Sequence, residues 1–406
     1  MSNQNTIHTP NQRIWQRFKR NKPALWGVAW IVISILVAIL GYWITPDSTP
    51  YANDQISEIR DKGLGFSTKI LRARKNRNFE SAFVLYKMLY GVENPYRIIP
   101  ITAYQFKGDS IIYKIYQGEE DAPKTVEMHL ADVVYPLSAQ STTIESKGKQ
   151  IIFTDAQEQE ITTSREILQA TITNELIRQK TYLLGTDHFG RDMLSRLLIG
   201  VRISLTVGLI AVVISLTIGV FLGAIAGYFG GRIDDFLMLL INTVWAIPTL
   251  LLVFALVIAL GRGFWQIFLA VGLTMWVDVA RIVRGQVMSL KSIQFVEAAK
   301  SMGYSDLRII FKHILPNILG PVMVVAATNF ATAILIEAGL SYLGFGIQPP
   351  QPSWGNMLKD GYGYLITSNI LPALLPGLAI MLMVLAFNLV GNGLRDALDV
   401  KTKSVR

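Results

Sequence analysis

Asp187, His188 and Asp192 stand within six residues of one another in LGTDHFGRDMLSRLLIGVRISL, residues 184–205. Two carboxylates and an imidazole at that density are donors that a divalent cation accepts. Arg191 and Arg196 interleave with them, and Gly185 and Gly190 flank them. Guanidinium groups among the donors oppose a bound cation, so the pattern fits a capped turn better than a metal site. In such a turn Asp187 accepts backbone N–H groups, the glycines supply unusual dihedrals and an arginine pairs with an acid. Two further carboxylates, Asp278 and Glu337, lie in or beside long apolar runs. A charge at the centre of a membrane helix costs about 3 kcal/mol on insertion scales, so each is expected to face a pathway, a partner or the interface. Asp278 precedes Arg281 by three residues, and pairing on one helix face or an interface position is favoured over substrate contact.

These residues do not assemble into a catalyst. There is no GxxxxGK[ST] run to cradle a nucleotide, no HExxH, no GxSxG and no carboxylate pair on a soluble element. The chain has no Cys, which excludes disulfides, thiolate metal sites and a cysteine nucleophile. The expectation is a chain without catalytic residues, metal or a cofactor of its own.

The elements that carry these residues are mostly apolar. Of 406 residues, 51% are hydrophobic, as suits a polytopic membrane protein with a sizeable soluble part. The net charge of +9 is not gathered into a patch interleaved with aromatics, so topology explains it better than nucleic acid does. Residues 1–23 are polar and carry Arg13, Arg17, Lys19, Arg20 and Lys22 without an acid. They are not read as a cleavable signal, because the apolar run that follows is too long and no small-residue cleavage site succeeds it. Residues 24–44 are the first transmembrane helix, since a hydrocarbon core of about 30 Å needs about 20 helical residues. Trp26, Trp30 and Trp43 near its ends suit an interfacial belt. Five more spans are expected at 203–229, 236–260 with a kink at Pro248, 264–283, 317–338 and 370–390. Short loops assigned inside hold Arg232, Arg281, Arg284, Lys291, Lys300, Arg308 and Lys312, against Arg262 and Lys359 outside. That bias puts both termini in the cytoplasm.

Residues 45–182 break the pattern. Acids and bases there are nearly balanced, and the stretch is long enough to fold as a domain. A short amphipathic helix is expected at 80–90, and strands at 110–116, 125–130 and 150–154. A capping box, Thr163-Ser164-Arg165-Glu166, opens a helix to about Lys180. The fold expected is an all-α polytopic membrane protein of six helices, N-in and C-in, with an inserted α+β extracytoplasmic domain between helices 1 and 2. A second helical region covers 183–400 and a cytoplasmic tail 401–406. The insert is read as a stable domain without chemistry.

A polar island, FVEAAKSMGYSDLRIIFKHILPN at 295–317, separates two apolar spans. Glu297-Ala298-Ala299 begins a short helix, and Gly303, four residues on, ends it in the left-handed conformation. Ser305 and Asp306 cap a second helix to about Ile314, and Pro316 suits the first turn of the next span. The expected shape is two short helices joined by a glycine corner.

Glu297-Ala298-Ala299, Gly303 and Leu315-Pro316 resemble the EAA loop of ABC importer permeases, here within 289–316. His313 departs from the general pattern, and HILPN is similar to the peptide-transporting branch. The GTDHFGRDMLSRLLIG run at 185–200, LSYLGFGIQPPQPSWGNML at 340–358 and FNLVGNGLRDAL at 387–398 are similar to the same branch. The resemblance covers the first span and about 182–400 and leaves most of 46–180 outside. It identifies the chain with C-type subunits of the dipeptide/oligopeptide/nickel transporter family, which have the type I permease fold. It implies a multi-pass subunit of the bacterial inner membrane, surrounded by lipid. A second homologous permease would complete a pathway for di- and oligopeptides. Two ABC ATPase subunits would bind ATP and magnesium, an extracytoplasmic binding protein would deliver substrate, and nucleic acid would have no part. Glu297, Ala298, Ala299, Gly303, Leu315 and Pro316 would couple to the ATPases. Asp187, Arg191, Asp192, Asp278, Glu337 and Trp354 are candidates for the pathway or its mouth. Nickel, glutathione or antimicrobial peptides are alternative substrates. A reading from another class is a membrane-anchored sensor or binding protein acting through residues 45–182.

Overall fold

A computed structural model of the chain describes residues 10–79, 82–118, 124–138, 144–261, 263–363 and 370–398. In chain order, α1 (Pro10–Arg20) and α2 (Lys22–Leu40) are followed by a 3₁₀ turn, Gly41–Trp43. Then come β1 (Phe66–Arg74), α3 (Val84–Tyr90), β2 (Tyr96–Lys107), β3 (Ser110–Ile115), β4 (Thr125–His129) and α4 (Leu130–Val134). Next are β5 (Glu145–Lys147), β6 (Gln150–Thr154), β7 (Glu160–Ser164), α5 (Arg165–Thr171) and β8 (Ile177–Tyr182). The remainder is helical: α6 (Met193–Phe229), α7 (Gly231–Trp245), α8 (Thr249–Leu260), α9 (Phe264–Lys291) and α10 (Gln294–Ser301). After them come α11 (Asp306–Ile309), α12 (Leu315–Tyr342), α13 (Trp354–Tyr362) and α14 (Leu371–Leu398). The chain divides into two compact units, Met1–Ala38 with Gly200–Lys359 and Ala373–Arg406, and Ile39–Ile199 with Asp360–Pro372.

Among the described residues five helices are long and apolar enough to cross a bilayer: Lys22–Trp43, Met193–Phe229, Phe264–Lys291, Asp306–Tyr342 and Leu371–Leu398. The span expected at 236–260 is a broken pair, α7 and α8, bent by 90°. Pro248 has no N–H to donate and excludes helical backbone at Ile247, and its own ψ of 124° turns the chain instead. The helix expected from Ile203 begins at Met193, directly after Asp192, and runs 37 residues.

In the helical unit the helices meet through small residues. Gly219, Gly223 and Gly227 form a stripe on α6 at the spacing that keeps one face. A Cβ on Gly219 would lie 2.7 Å from the Trp276 carbonyl, and one on Gly227 2.6 Å from that of Arg284, both on α9. The two backbones therefore touch along two helical turns, the contact that dispersion favours where no water is displaced. Gly27 of α2 meets the Ala386 carbonyl of α14 in the same way. Many large apolar side chains point outward, among them Leu209, Val213, Phe221, Phe236 and Leu239, as lipid solvation allows.

The second unit carries an antiparallel sheet ordered β4-β3-β2-β1-β8 and a three-stranded sheet β5-β6-β7. Leu71, Ile101, Ile111, Leu130, Phe153 and Leu168 anchor its buried core. Strands stand at 110–115, 125–129 and 150–154. The capping box is half made: Ser164 accepts from the Ile167 N–H, while Glu166 turns to Lys149 at 2.7 Å. The helix expected to reach Lys180 ends at Thr171 and passes through a π-turn into β8. Residues 177–182 pair with β1, Phe66 opposite Tyr182 and Leu71 opposite Ile177, so long-range pairing overrides the local helical signal. In the 80–90 stretch the described helix is Val84–Tyr90; residues 80 and 81 lie outside the described residues.

Candidate functional site

The polar island folds into a tight turn between α9 and α12. α10 buries Val296 and Ala299 and leaves Glu297, Ala298 and Lys300 exposed. It ends in a Schellman motif: the Gly303 N–H donates to the Lys300 carbonyl at 2.9 Å and the Tyr304 N–H to that of Ala299 at 3.2 Å. Gly303 sits at φ 76°, the left-handed region this motif requires. Val296, Ala299, Ile309 and Ile314 pack with Val283, Val287 and Tyr228 into one core cluster. The opposite side presents Met302, Leu307 and Phe311, all exposed. Glu297, Lys300, Arg308 and Lys312 of the same turn are exposed as well.

The second short helix differs from the expected one. α11 is a single turn, and a π-turn over Ile310–Ile314 leads into α12 without a break, while Pro316 lies in the first turn of α12 as expected. Ser305 occupies the cap position without a side-chain bond. Asp306 accepts instead from the Tyr228 hydroxyl at 2.6 Å, which ties the turn to the end of α6. Arg308 lies over the Tyr304 ring, which stacks on His313.

Asp187 and its neighbours form the second cluster. The Asp187 Oδ1 accepts the Phe189 and Arg191 N–H groups at 3.0 and 2.9 Å, and Oδ2 accepts the Arg191 Nε–H at 2.7 Å. Gly185 and Gly190 both have positive φ, and a Cβ on either would strike the backbone of Lys62–Gly63 or Ile56. Asp192 accepts from the Ser195 N–H at 2.8 Å and from its hydroxyl, capping α6. Burial pushes the Asp192 carboxyl above its ordinary value, and the Ser195 bonds pull it back in part.

Residues 219–404 match the family model for the binding-protein-dependent transport system inner membrane component, and residues 9–60 that for the N-terminal TM domain of oligopeptide transport permease C. The oligopeptide transport system permease protein OppC of Bacillus subtilis (strain 168) is 42% identical over 224 residues, 55% of this chain and 73% of that protein. The dipeptide transport system permease protein DppC of Alkalihalophilus pseudofirmus is 46% identical over 220 residues, 54% of this chain and 72% of the relative. The chain belongs to the binding-protein-dependent inner-membrane permeases. The glutathione transport system permease protein GsiD of Pectobacterium atrosepticum is 42% identical over 221 residues, 54% of this chain and 73% of that protein. A solved chain of the MetNI methionine ABC transporter, inward facing, is 19% identical with a TM-score of 0.42, covering 51% of this chain and 98% of that one.

In this permease three further candidate residues are Glu337, Trp354 and Asp278. Glu337 is fully buried on α12, where it accepts the Ser341 hydroxyl at 2.6 Å. Ser341 also accepts the Ile347 N–H and lies 3.4 Å from the Ser353 hydroxyl, so Glu337 anchors the 344–353 loop to its helix. Trp354 is buried, its indole 2.8 Å from where a Gly200 Cβ would stand. Asp278 is exposed on α9 and makes no ion pair with Arg281 among the described residues. Arg281 donates to Asn242 at 2.8 Å and lies over the Trp245 ring at 3.9 Å, so cross-helix partners replace the intrahelical one. Sequence reasoning passed over Tyr228 and the exposed Met302, Leu307 and Phe311. Leu307 and Phe311 are at i,i+4 spacing, whereas Met302 precedes the Schellman turn and stands outside that period. The α6 stripe did carry a signal, three glycines four residues apart.

Proposed function

We propose that this permease is one transmembrane subunit of an ATP-driven importer of di- and oligopeptides, with the type I permease fold. A second homologous permease completes the translocation pathway, two ABC ATPase subunits dock from the cytoplasm, and an extracytoplasmic binding protein delivers the peptide. Both termini lie in the cytoplasm, and the domain at 45–182 lies outside. The observation that carries this reading is the turn between α9 and α12. It has a Schellman backbone, a buried side packed with three helices, and exposed apolar and charged side chains turned to solvent. Such a surface fits a groove on a soluble partner. The chain has no phosphate-binding loop, so work against a gradient draws on nucleotide bound by another subunit. Peptide is the favoured substrate because the relatives are named for oligopeptide, dipeptide and glutathione transport.

Gly303→Asp tests the coupling role. Nothing lies within 4 Å of a Cβ there. Aspartate enters the left-handed region more readily than most residues, so the variant keeps the turn and adds a charge to its exposed surface. The expected outcome is normal membrane abundance with labelled-peptide uptake lost. Mild-detergent purification of the tagged wild type should bring down a second permease and two ATPases. Normal uptake by Gly303→Asp, or recovery of the chain alone while a control transporter stays assembled, would overturn the reading and direct attention to the 45–182 domain as a sensor.

A further inference from the structure

The α3 helix presents apolar surface in an unusual way. Six of its seven residues, VLYKMLY, are apolar or aromatic, and none is buried. Phe83, just before it, is 76% exposed, Val84 63% and Tyr90 62%. Leu85 and Tyr86 are also exposed. Phe83, Val84, Leu85 and Tyr86, at about 100° apiece, circle the start of the helix, so its exposed apolar surface is not confined to one face. A helix this short is unstable alone in water, and such a patch marks a membrane or a partner.

Its position discriminates between these. The helix ends at Gly91, φ 73°, where a Cβ would lie 2.8 Å from the Ser48 carbonyl. The Val92 N–H donates to that same carbonyl at 2.9 Å. α3 is thereby sealed to the chain five residues past Trp43, and it packs against the 3₁₀ turn Gly41–Trp43 that ends the first span. That span, Lys22–Trp43, has 22 residues. At about 1.5 Å each it just crosses a hydrocarbon core of about 30 Å, so Trp43 reaches the interface. Trp43 is 71% exposed and Ile44 is exposed beside it. Tyr86 and Tyr90, with ring centroids 5.1 Å apart, add aromatic groups at the same end. Aromatic residues with apolar bodies and polar tips concentrate at this depth, and an exposed Lys87 is long enough to reach headgroup phosphates.

We propose that α3 is an interfacial helix, lying in the headgroup–acyl boundary of the lipid bilayer beside the end of the first span and holding the 45–182 domain against the membrane. A protein groove would cover one side of the helix, whereas lipid wets all of it. The inference rests on Lys22–Trp43 being a span and holds on whichever side the domain lies.

The absence of cysteine makes the test direct. Val84→Cys, Leu85→Cys and Tyr86→Cys, with Lys147→Cys on exposed β5 as control, are each nitroxide-labelled. The assembled transporter is then reconstituted in phosphatidylethanolamine/phosphatidylglycerol vesicles. Power saturation is measured with oxygen and with a nickel chelate. The expected result is that oxygen reaches 84, 85 and 86 better than nickel does, with the order reversed at 147. Nickel reaching all four alike would put the helix in water. Protection of 84–86 from both reagents would put it against the second permease, and either result overturns the proposal. An impermeant thiol reagent on Lys147→Cys in intact cells reports the side separately, so failure of the assigned topology is distinguishable from failure of the lipid contact.

Discussion

Single carboxylates in the second unit respond to their surroundings in opposite directions. Asp54 is half-buried; burial first, and then the charge of Asp47, push its carboxyl above the ordinary value, against the pull of Lys180 and Asn94. A carboxyl raised in the folded state stabilises the fold below its unfolded value, and that contribution is lost as pH rises through the folded value. Asp54→Asn should therefore remove a loss of stability on the alkaline side of the ordinary carboxylate range and raise the melting temperature at neutral pH. Circular dichroism melts of wild type and variant at pH 4 and pH 7 check this; equal differences at both values would sink it. Asp109 behaves oppositely, because the Arg165 hydrogen bond at 2.6 Å lowers its carboxyl, so its contribution is present at neutral pH and lost in acid. At Asp187 the residue types sufficed to anticipate a capped turn, since glycine, aspartate and arginine at that spacing have few other uses. At Asp306 they did not, because its partner Tyr228 is 78 residues away.

Between elements the tightest constraint is α6 on α9. A Cβ at Gly223 would lie 2.9 Å from the Val283 Cβ and 3.0 Å from the Ala280 Cα. Gly223→Leu must push the two helices apart, and overpacking of this kind costs about 1–3 kcal/mol. The expected outcome is normal insertion with a lower melting temperature in detergent. Gly285→Leu, on α9 itself but with nothing within 4 Å of its Cβ, should leave the melting temperature unchanged. Equal effects of the two substitutions would mean that helix propensity, not packing, governs the region. The same scale explains strand β2, which the sequence masked. Pro100 in its middle argues against a strand, yet β2 runs between β1 and β3 with a register shift at Ile101/Ala103 that absorbs the irregularity.

Within the second unit, the chain before β1 is joined to the chain after β8 by paired hydrogen bonds. The Thr186 N–H donates to the Lys62 carbonyl at 3.0 Å, and the Lys62 N–H to the Thr186 hydroxyl at 3.0 Å. A Cβ on Gly185 would lie 2.7 Å from the Gly63 carbonyl. The residues of the main core, Leu71 to Leu176, lie between these positions in the chain, while Ile56, Ile59 and Tyr182 form a smaller cluster at the junction. Domains with adjacent termini and a private core are removable. Replacing residues 64–184 with two glycines should leave a chain that inserts in the membrane and still co-purifies with the proposed second permease and ATPases. Loss of insertion would show that the segments flanking 64–184 need the sheets to hold their fold.

The sequence by itself determined the membrane class, the apolar spans, the family resemblance and the turn chemistry at Gly303 and Asp187. Each of these rests on local rules, namely hydrophobic length, glycine dihedrals and side-chain capping within a few residues. Only the tertiary structure decided the rest. It broke the span at Pro248 into a 90° bend, turned residues 177–182 from helix to strand, and gave Arg281 a partner on another helix. It also left Met302, Leu307 and Phe311 exposed and set α3, with no buried residue, beside the end of the first span. These outcomes depend on pairing and packing between residues far apart in the chain, where long-range contact outweighs local propensities of a few tenths of a kcal/mol per residue.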